Sequence, residues 1–152
     1  MRPAYLLLRF WWRLRRPVRI EGAQVALWHG GQILVVRHSY IPGYGLPGGR
    51  FKRGEDPRQA ARRELAEELG IAVAPEQLTA CGAQTYAFEH GEVTGHIFEH
   101  RPAERAEPQI DQLEIVEARF VEVEEALAGT KSPHLRGYLE GVRRASSTEG
   151  AP

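Results

Sequence analysis

Between Gly45 and Ile71 the chain reads GLPGGRFKRGEDPRQAARRELAEELGI, glycine-rich first, then basic, then helical in pattern. No other stretch limits the possible folds as strongly. Asp56 stands where an N-cap side chain is wanted, Pro57 suits the first helical position, Gln59 follows the cap by three residues, and Gly70 is placed to end the helix. A helix over 57–69 aligns Ala61, Leu65 and Leu69 in one apolar stripe. It also places Glu64, Glu67 and Glu68 at 0°, about −60° and about +40° on an adjoining face. The stripe has to be covered by a sheet or another helix. The acidic face presents the opposite problem, because like charges at this spacing repel unless something cationic sits among them. A hard divalent cation such as Mg2+, which takes oxygen ligands, is one solution. A solvated face laced with salt bridges is the other, since RRELAEEL alone is common helix composition.

The glycines before the helix weigh on that choice. Gly45, Gly48 and Gly49 allow tight turns and close approach of the backbone to an ion or ligand, and Gly54 permits another turn just before Glu55. The loop lacks a G-K-[ST] ending and is therefore not a P-loop. Upstream, VRIEGAQVALW and QILVVRH read as a β-hairpin about His29-Gly30-Gly31. An oxyanion-hole reading of HGG fails because the chain has no G-x-S-x-G elbow. Downstream, two strands are expected about a His90-Gly91 turn. A polar loop, RPAERAEPQIDQ, and a strand in LEIVEARFVEV follow. Next come a short helix near 124–128 and a last helix capped by Ser132 and opened by Pro133. Residues from Ser146 onward, SSTEGAP, read as a disordered tail.

The 152 residues have the length and composition of one domain, and 20 basic residues balance 20 acidic ones, so no overall field favours DNA or other nucleic acid. The balance is uneven along the chain. Six arginines precede the first acid, Glu21, and residues 3–16 read as a basic amphipathic helix closed by Pro17. Such a helix either lies on an anionic membrane surface or packs its aromatic side on its own domain or on a second subunit, and the packing reading, with a homodimer as one form of it, is preferred. Cys81 is the only cysteine, which excludes an internal disulfide framework, leaves no CxxC pair, and fits a reducing, cytoplasmic setting. No apolar run is long enough to span a membrane.

Read from Gly49, the glycine loop and helix resemble the Nudix box, G-x5-E-x7-R-E-U-x-E-E-x-G-U with U aliphatic. Gly49, Glu55, Arg63, Glu64, Leu65, Glu67, Glu68, Gly70 and Ile71 fill every specified position, a match expected by chance at a given start with probability on the order of 10⁻⁹. The resemblance implies the Nudix fold, an α+β architecture (α/β/α sandwich) with a mixed sheet between helices, here with an extra N-terminal helix. It implies a pyrophosphohydrolase that cleaves a diphosphate linked to some group X in a nucleoside diphosphate derivative. It also implies Mg2+, with Mn2+ as an alternative, held by Glu64, Glu67, Glu68 and the Gly49 carbonyl. Glu55 and Arg63 would brace the loop, and Glu64 or a glutamate from a later loop would activate water. Bridging cations suit this chemistry, because a diphosphate brings further negative charge to an acidic site. A catalytically silent nucleotide sensor on the same fold is the competing reading, favoured only by loss of box acids, and none is lost.

The family's substrate markers are less informative. Arg37, His38, Tyr40 and Tyr44, just upstream of the loop, are candidates to contact phosphate or stack on a base, or are sheet-edge residues. Arg50, Lys52 and Arg53 bring three positive charges, with lysine at 52 where many members carry an acid; they either grip a polyanion or form a solvated loop. Tyr86 resembles a tyrosine of dinucleoside polyphosphate hydrolases, although strand tyrosines commonly serve packing. His90, His96 and His100 lack zinc-ligand spacing, and His96 and His100 are expected on one strand face bordering the pocket. Among the late acids Glu107, Asp111, Glu114 and Glu117, Glu114 is the first choice for an extra ligand or base.

Overall fold

The computed structural model describes residues 18–110 and 112–149. The expected N-terminal helix, Asp111 and the last three residues of the tail lie outside them.

Strand β1 (Val18–His29) turns at Gly30-Gly31 into β2 (Gln32–His38). Both glycines have positive φ, 55° and 81°, as the two central residues of a type I′ hairpin turn require. β1 is the hub of the sheet. Its far end pairs with β2 at Trp28↔Ile33 and His29↔Gln32, while Gly22, Ala23 and Gln24 pair antiparallel with the short β3 (Gly48–Arg50). Along its other edge β1 runs parallel to β5 (Gly91–His100), from Val18↔Gly91 to Leu27↔His100. β4 (Thr79–Phe88) and β6 (Ile115–Val121) complete a sheet of order β4-β5-β1-β2-β6, with β3 beside β1. The sheet is mixed, as expected.

Side-chain alternation gives the sheet two apolar faces. Val25, Leu27, Leu34, Val36 and Phe98 meet Ala61, Leu65 and Leu69 of helix α1 (Pro57–Leu69) on one side. Ala26, Trp28, Ile33, Val35 and Ile97 meet Ala126 and Leu127 of α2 (Val123–Gly129) and Leu135 and Leu139 of α3 (Pro133–Glu149) on the other. The period of two dictates this division, since neighbours in a strand point to opposite faces. The result is the sandwich of helices about a sheet.

Two local expectations are corrected. The β4–β5 turn falls at Glu89-His90, with Gly91 already in β5, where a side chain would meet the Val18 carbonyl. Helix α3 runs past Ser146, where the tail was expected to begin, to Glu149. Hydroxyls of Ser146, Ser147 and Thr148 donate to the carbonyls four residues earlier, at 3.1, 2.9 and 3.0 Å, and so turn polar residues into helix partners. Among the described residues no helix is long and apolar enough to cross a membrane.

Candidate functional site

Two local devices fix the acidic helix. Asp56 Oδ1 accepts from the Gln59 amide at 2.9 Å while Gln59 Oε1 accepts from the Asp56 amide at 3.1 Å, a complete capping box, and Gly70 closes the helix at φ 66°. The glycine loop is fixed by contact. At Gly48 φ is 150°, and a Cβ there would lie 2.1 Å from the Ala23 carbonyl oxygen; at Gly49 a Cβ would lie 2.5 Å from Glu64 Oε1. Glu64 therefore rests directly on the backbone of the loop.

Arg63 ties the unit together. Its Nε and Nη2 donate to the two oxygens of Glu55 at 2.8 and 2.9 Å, a bidentate pair, and Nη2 also donates to the Arg50 carbonyl at 2.9 Å. Its Nη1 serves Glu64 at 2.5 Å and Glu67 at 3.0 Å. Lys52 contributes its backbone amide to Glu55 at 2.8 Å and its ammonium to Glu67 at 2.9 Å. Glu68, buried, accepts from the Gly48 amide at 2.9 Å and lies within hydrogen-bond distance of His38 Nε2, at 3.3 Å.

The electrostatics follow from these contacts. The Arg63 guanidinium holds the Glu55 carboxyl down to about 2, and Arg63 is itself raised by Glu55. The Lys52 ammonium lowers Glu67. Glu64 moves the other way, because burial raises it more than neighbouring Arg63 lowers it. Among the described residues no three His, Cys, Asp or Glu side chains form a finished metal cage; Arg63 and Lys52 stand between the carboxylates. The donors nonetheless fit a hard divalent cation. They are all oxygens, the Gly49 carbonyl belongs to the same loop, and no Cβ intervenes between Gly49 and Glu64.

Beside this acidic face a cleft of about 520 Å³ opens on the α2/α3 side of the sheet, walled by Gly48, Gly49, Tyr44, Gln24, Val93 and His134, among others. Gln24 contributes a buried amide oxygen that has no hydrogen-bond partner among the described residues. The wall carrying Tyr44 is stitched to the α2–α3 junction. The Tyr44 amide donates to the Gly129 carbonyl at 3.0 Å, and Thr130 Oγ1 donates to the Tyr44 carbonyl at 2.7 Å. A side chain at Gly129 would strike the Tyr44 ring at 2.4 Å.

The other candidates divide by this geometry. Tyr40, Tyr44 and Arg50 line the cleft, and Tyr40 donates to Glu114 at 3.3 Å. Arg37 instead pairs with Glu117 across β2 and β6 at 3.0 Å, and Tyr86 stands behind the wall, edge-on to His134 at 4.8 Å with its hydroxyl on Gln84. His96 and His100 do not border the cleft. They share the Phe98 face of β5, which is turned toward α1, and His100 is buried on the Gln77 carbonyl at 3.0 Å. Gln24 and His134 are the residues the sequence left unmarked. Gln24 carried a signal, a polar residue in line with core-facing Ala26 and Trp28, whereas nothing local points His134 toward the cleft.

Comparison with known proteins follows the same lines. The family model described as "NUDIX domain" matches residues 19–141. The chain is similar to the NAD-capped RNA hydrolase NudC of Haemophilus influenzae, 29% identical over 116 residues, which are 73% of this chain and 42% of that protein. It is also similar to the RNA pyrophosphohydrolase of Dinoroseobacter shibae, 42% identical over 52 residues, 32% of each chain. The matched region spans less than half the length of either curated relative. Among solved structures, the MutT protein of Methanosarcina mazei Go1 superposes with a TM-score of 0.72 at 22% identity, over 88% of this chain and 98% of that one.

Proposed function

Since the chain belongs to the Nudix family, we propose that it is a divalent-metal-dependent pyrophosphohydrolase that cleaves the diphosphate of a nucleoside diphosphate derivative. One observation carries the reading. Glu64, Glu67 and Glu68 share one face of α1, Glu64 and Glu67 held by Arg63 and Glu68 by the Gly48 amide, and the Gly48-Gly49 backbone is also a wall of the 520 Å³ cleft. A diphosphate laid along the glycines would have the acids on one side and room for its organic group on the other.

Glu64, Glu67, Glu68 and the Gly49 carbonyl would hold Mg2+ or Mn2+, which when bound supplies charge neutralisation and activation of water. The protein's own part is positioning. Arg63 is locked on Glu55 and donates to both Glu64 and Glu67, while His38 and the Gly48 amide hold Glu68. Glu64, which rests on the Gly49 backbone of the loop, is the proposed proton acceptor. Tyr40, Tyr44 and Gln24 supply aromatic faces and an amide for the organic group.

The test is incubation with Mg2+ and a panel of nucleoside triphosphates, ADP-ribose, nucleotide sugars, dinucleoside polyphosphates and capped RNA, with products resolved by chromatography. Cleavage of one class, lost by about 10²-fold or more in Glu68→Gln, is expected. Tight nucleotide binding without turnover of any compound would replace the hydrolase by a sensor.

A further inference from the structure

The three acids of α1 are held by unequal partners. Arg63 has a side chain only 17% exposed and is tied to Glu55, Glu64, Glu67 and the Arg50 carbonyl, so it cannot leave without dismantling the loop. His38 and Glu68 are 12% and 6% exposed and equally confined. Lys52 differs from both. Its side chain is 62% exposed, and its ammonium holds Glu67 Oε1 at 2.9 Å on a carboxylate that is itself 52% exposed. Its ammonium is the exposed partner among confined ones.

Resting on the reading of Glu67 as a metal ligand, we propose that Lys52 is a built-in competitor of the divalent cation at Glu67. An ammonium and a divalent cation drawn to the same carboxylate repel each other, and Arg63 already donates to the other oxygen at 3.0 Å. Cation binding at Glu67 therefore works against the Lys52 ammonium, and the affinity of that position is lower by what the ion pair is worth. Exposed pairs of this kind change an equilibrium constant by up to about five-fold. The metal requirement of this chain is thus set weaker than its box acids alone would make it.

The experiment is titration with Mn2+ followed by electron paramagnetic resonance, on the full chain without nucleotide. Lys52→Gln is expected to tighten the weaker Mn2+ position by about two- to five-fold, Lys52→Arg to behave as wild type, and Lys52→Glu to exceed Lys52→Gln. Added salt screens the pair, so the gain should shrink between about 50 mM and about 500 mM NaCl. In a Glu67→Gln background Lys52→Gln should change nothing. Coincident titrations of wild type and Lys52→Gln, or weaker binding in the variant, overturn the proposal while leaving the hydrolase reading intact. Absence of Mn2+ binding in every protein overturns both.

Discussion

The acidic unit and the cleft beside it are built in opposite ways. Between the glycine loop and the end of α1, the contacts that matter join residues close in sequence: Asp56 with Gln59, Lys52 and Arg63 with Glu55, Arg63 with Glu64 and Glu67, Gly48 with Glu68. The cleft walls come instead from β1, the 39–50 loop, β5 and the start of α3, held by links such as Tyr44 to Gly129 and His134 to Gln84. Local construction gives a charge constellation that one short segment can specify. Long-range construction gives a shape that many segments must agree on.

Substitutions in the first region should therefore be severe and should strike the rate. Gly48→Ala forces a Cβ to within 2.1 Å of the Ala23 carbonyl and strains a φ of 150°; a loss of about 2–4 kcal/mol is expected, read by chemical denaturation, with turnover abolished. Gly49→Ala meets only the carboxylate end of Glu64, so the fold should survive while kcat falls by about 10²-fold. If kcat stays unchanged in that variant, the contact between loop and helix is not part of the chemistry.

The Arg63–Glu55 pair sharpens the comparison through pH. The Glu55 pKa is lowered from 4.5 to about 2, so its contribution to stability is fully present above about 4.5 and is lost as pH falls toward about 2. Glu55→Gln removes the titration. The melting temperatures of wild type and variant should differ at neutral pH and converge only as pH falls to about 2, and a constant gap would deny the pair its role.

On the cleft side effects should be smaller and should fall on KM. Tyr86→Leu withdraws the ring that supports His134 from behind; KM should rise by about three- to ten-fold with kcat nearly kept. Smallest of all is Arg37→Ala. Its half-exposed pair with Glu117 lies away from the cleft, and stability should move by no more than about 0.5 kcal/mol with KM unchanged. A marked rise in KM would return Arg37 to the substrate side.

The same contrast explains what the sequence made legible. Cap, helix and acidic face could be read from spacing because spacing is what builds them, whereas the Glu55–Arg63 brace and the sheet between helices were implied by the resemblance to the Nudix box. The roles of Tyr86, His96 and His134 could not be read that way. Which face of β5 looks toward α1 depends on its parallel register with β1, some seventy residues earlier in the chain, and the position of His134 depends on how α3 docks on the sheet. The departure at Ser146 has a local cause instead: hydroxyls that disfavour a free helix become its partners once the preceding turns are anchored.

The stitch between Tyr44 and the α2–α3 junction bears on how a ligand is chosen. Because Gly129 and Thr130 hold the backbone of Tyr44 from both its amide and its carbonyl, that wall is ordered before anything binds. A ligand then gives up little conformational entropy to organise it, and discrimination falls on fit to a preset shape. The residues that set this shape include one that touches no ligand at all: any side chain at position 129 would push the Tyr44 ring and alter which molecules are accepted from the far side of the wall.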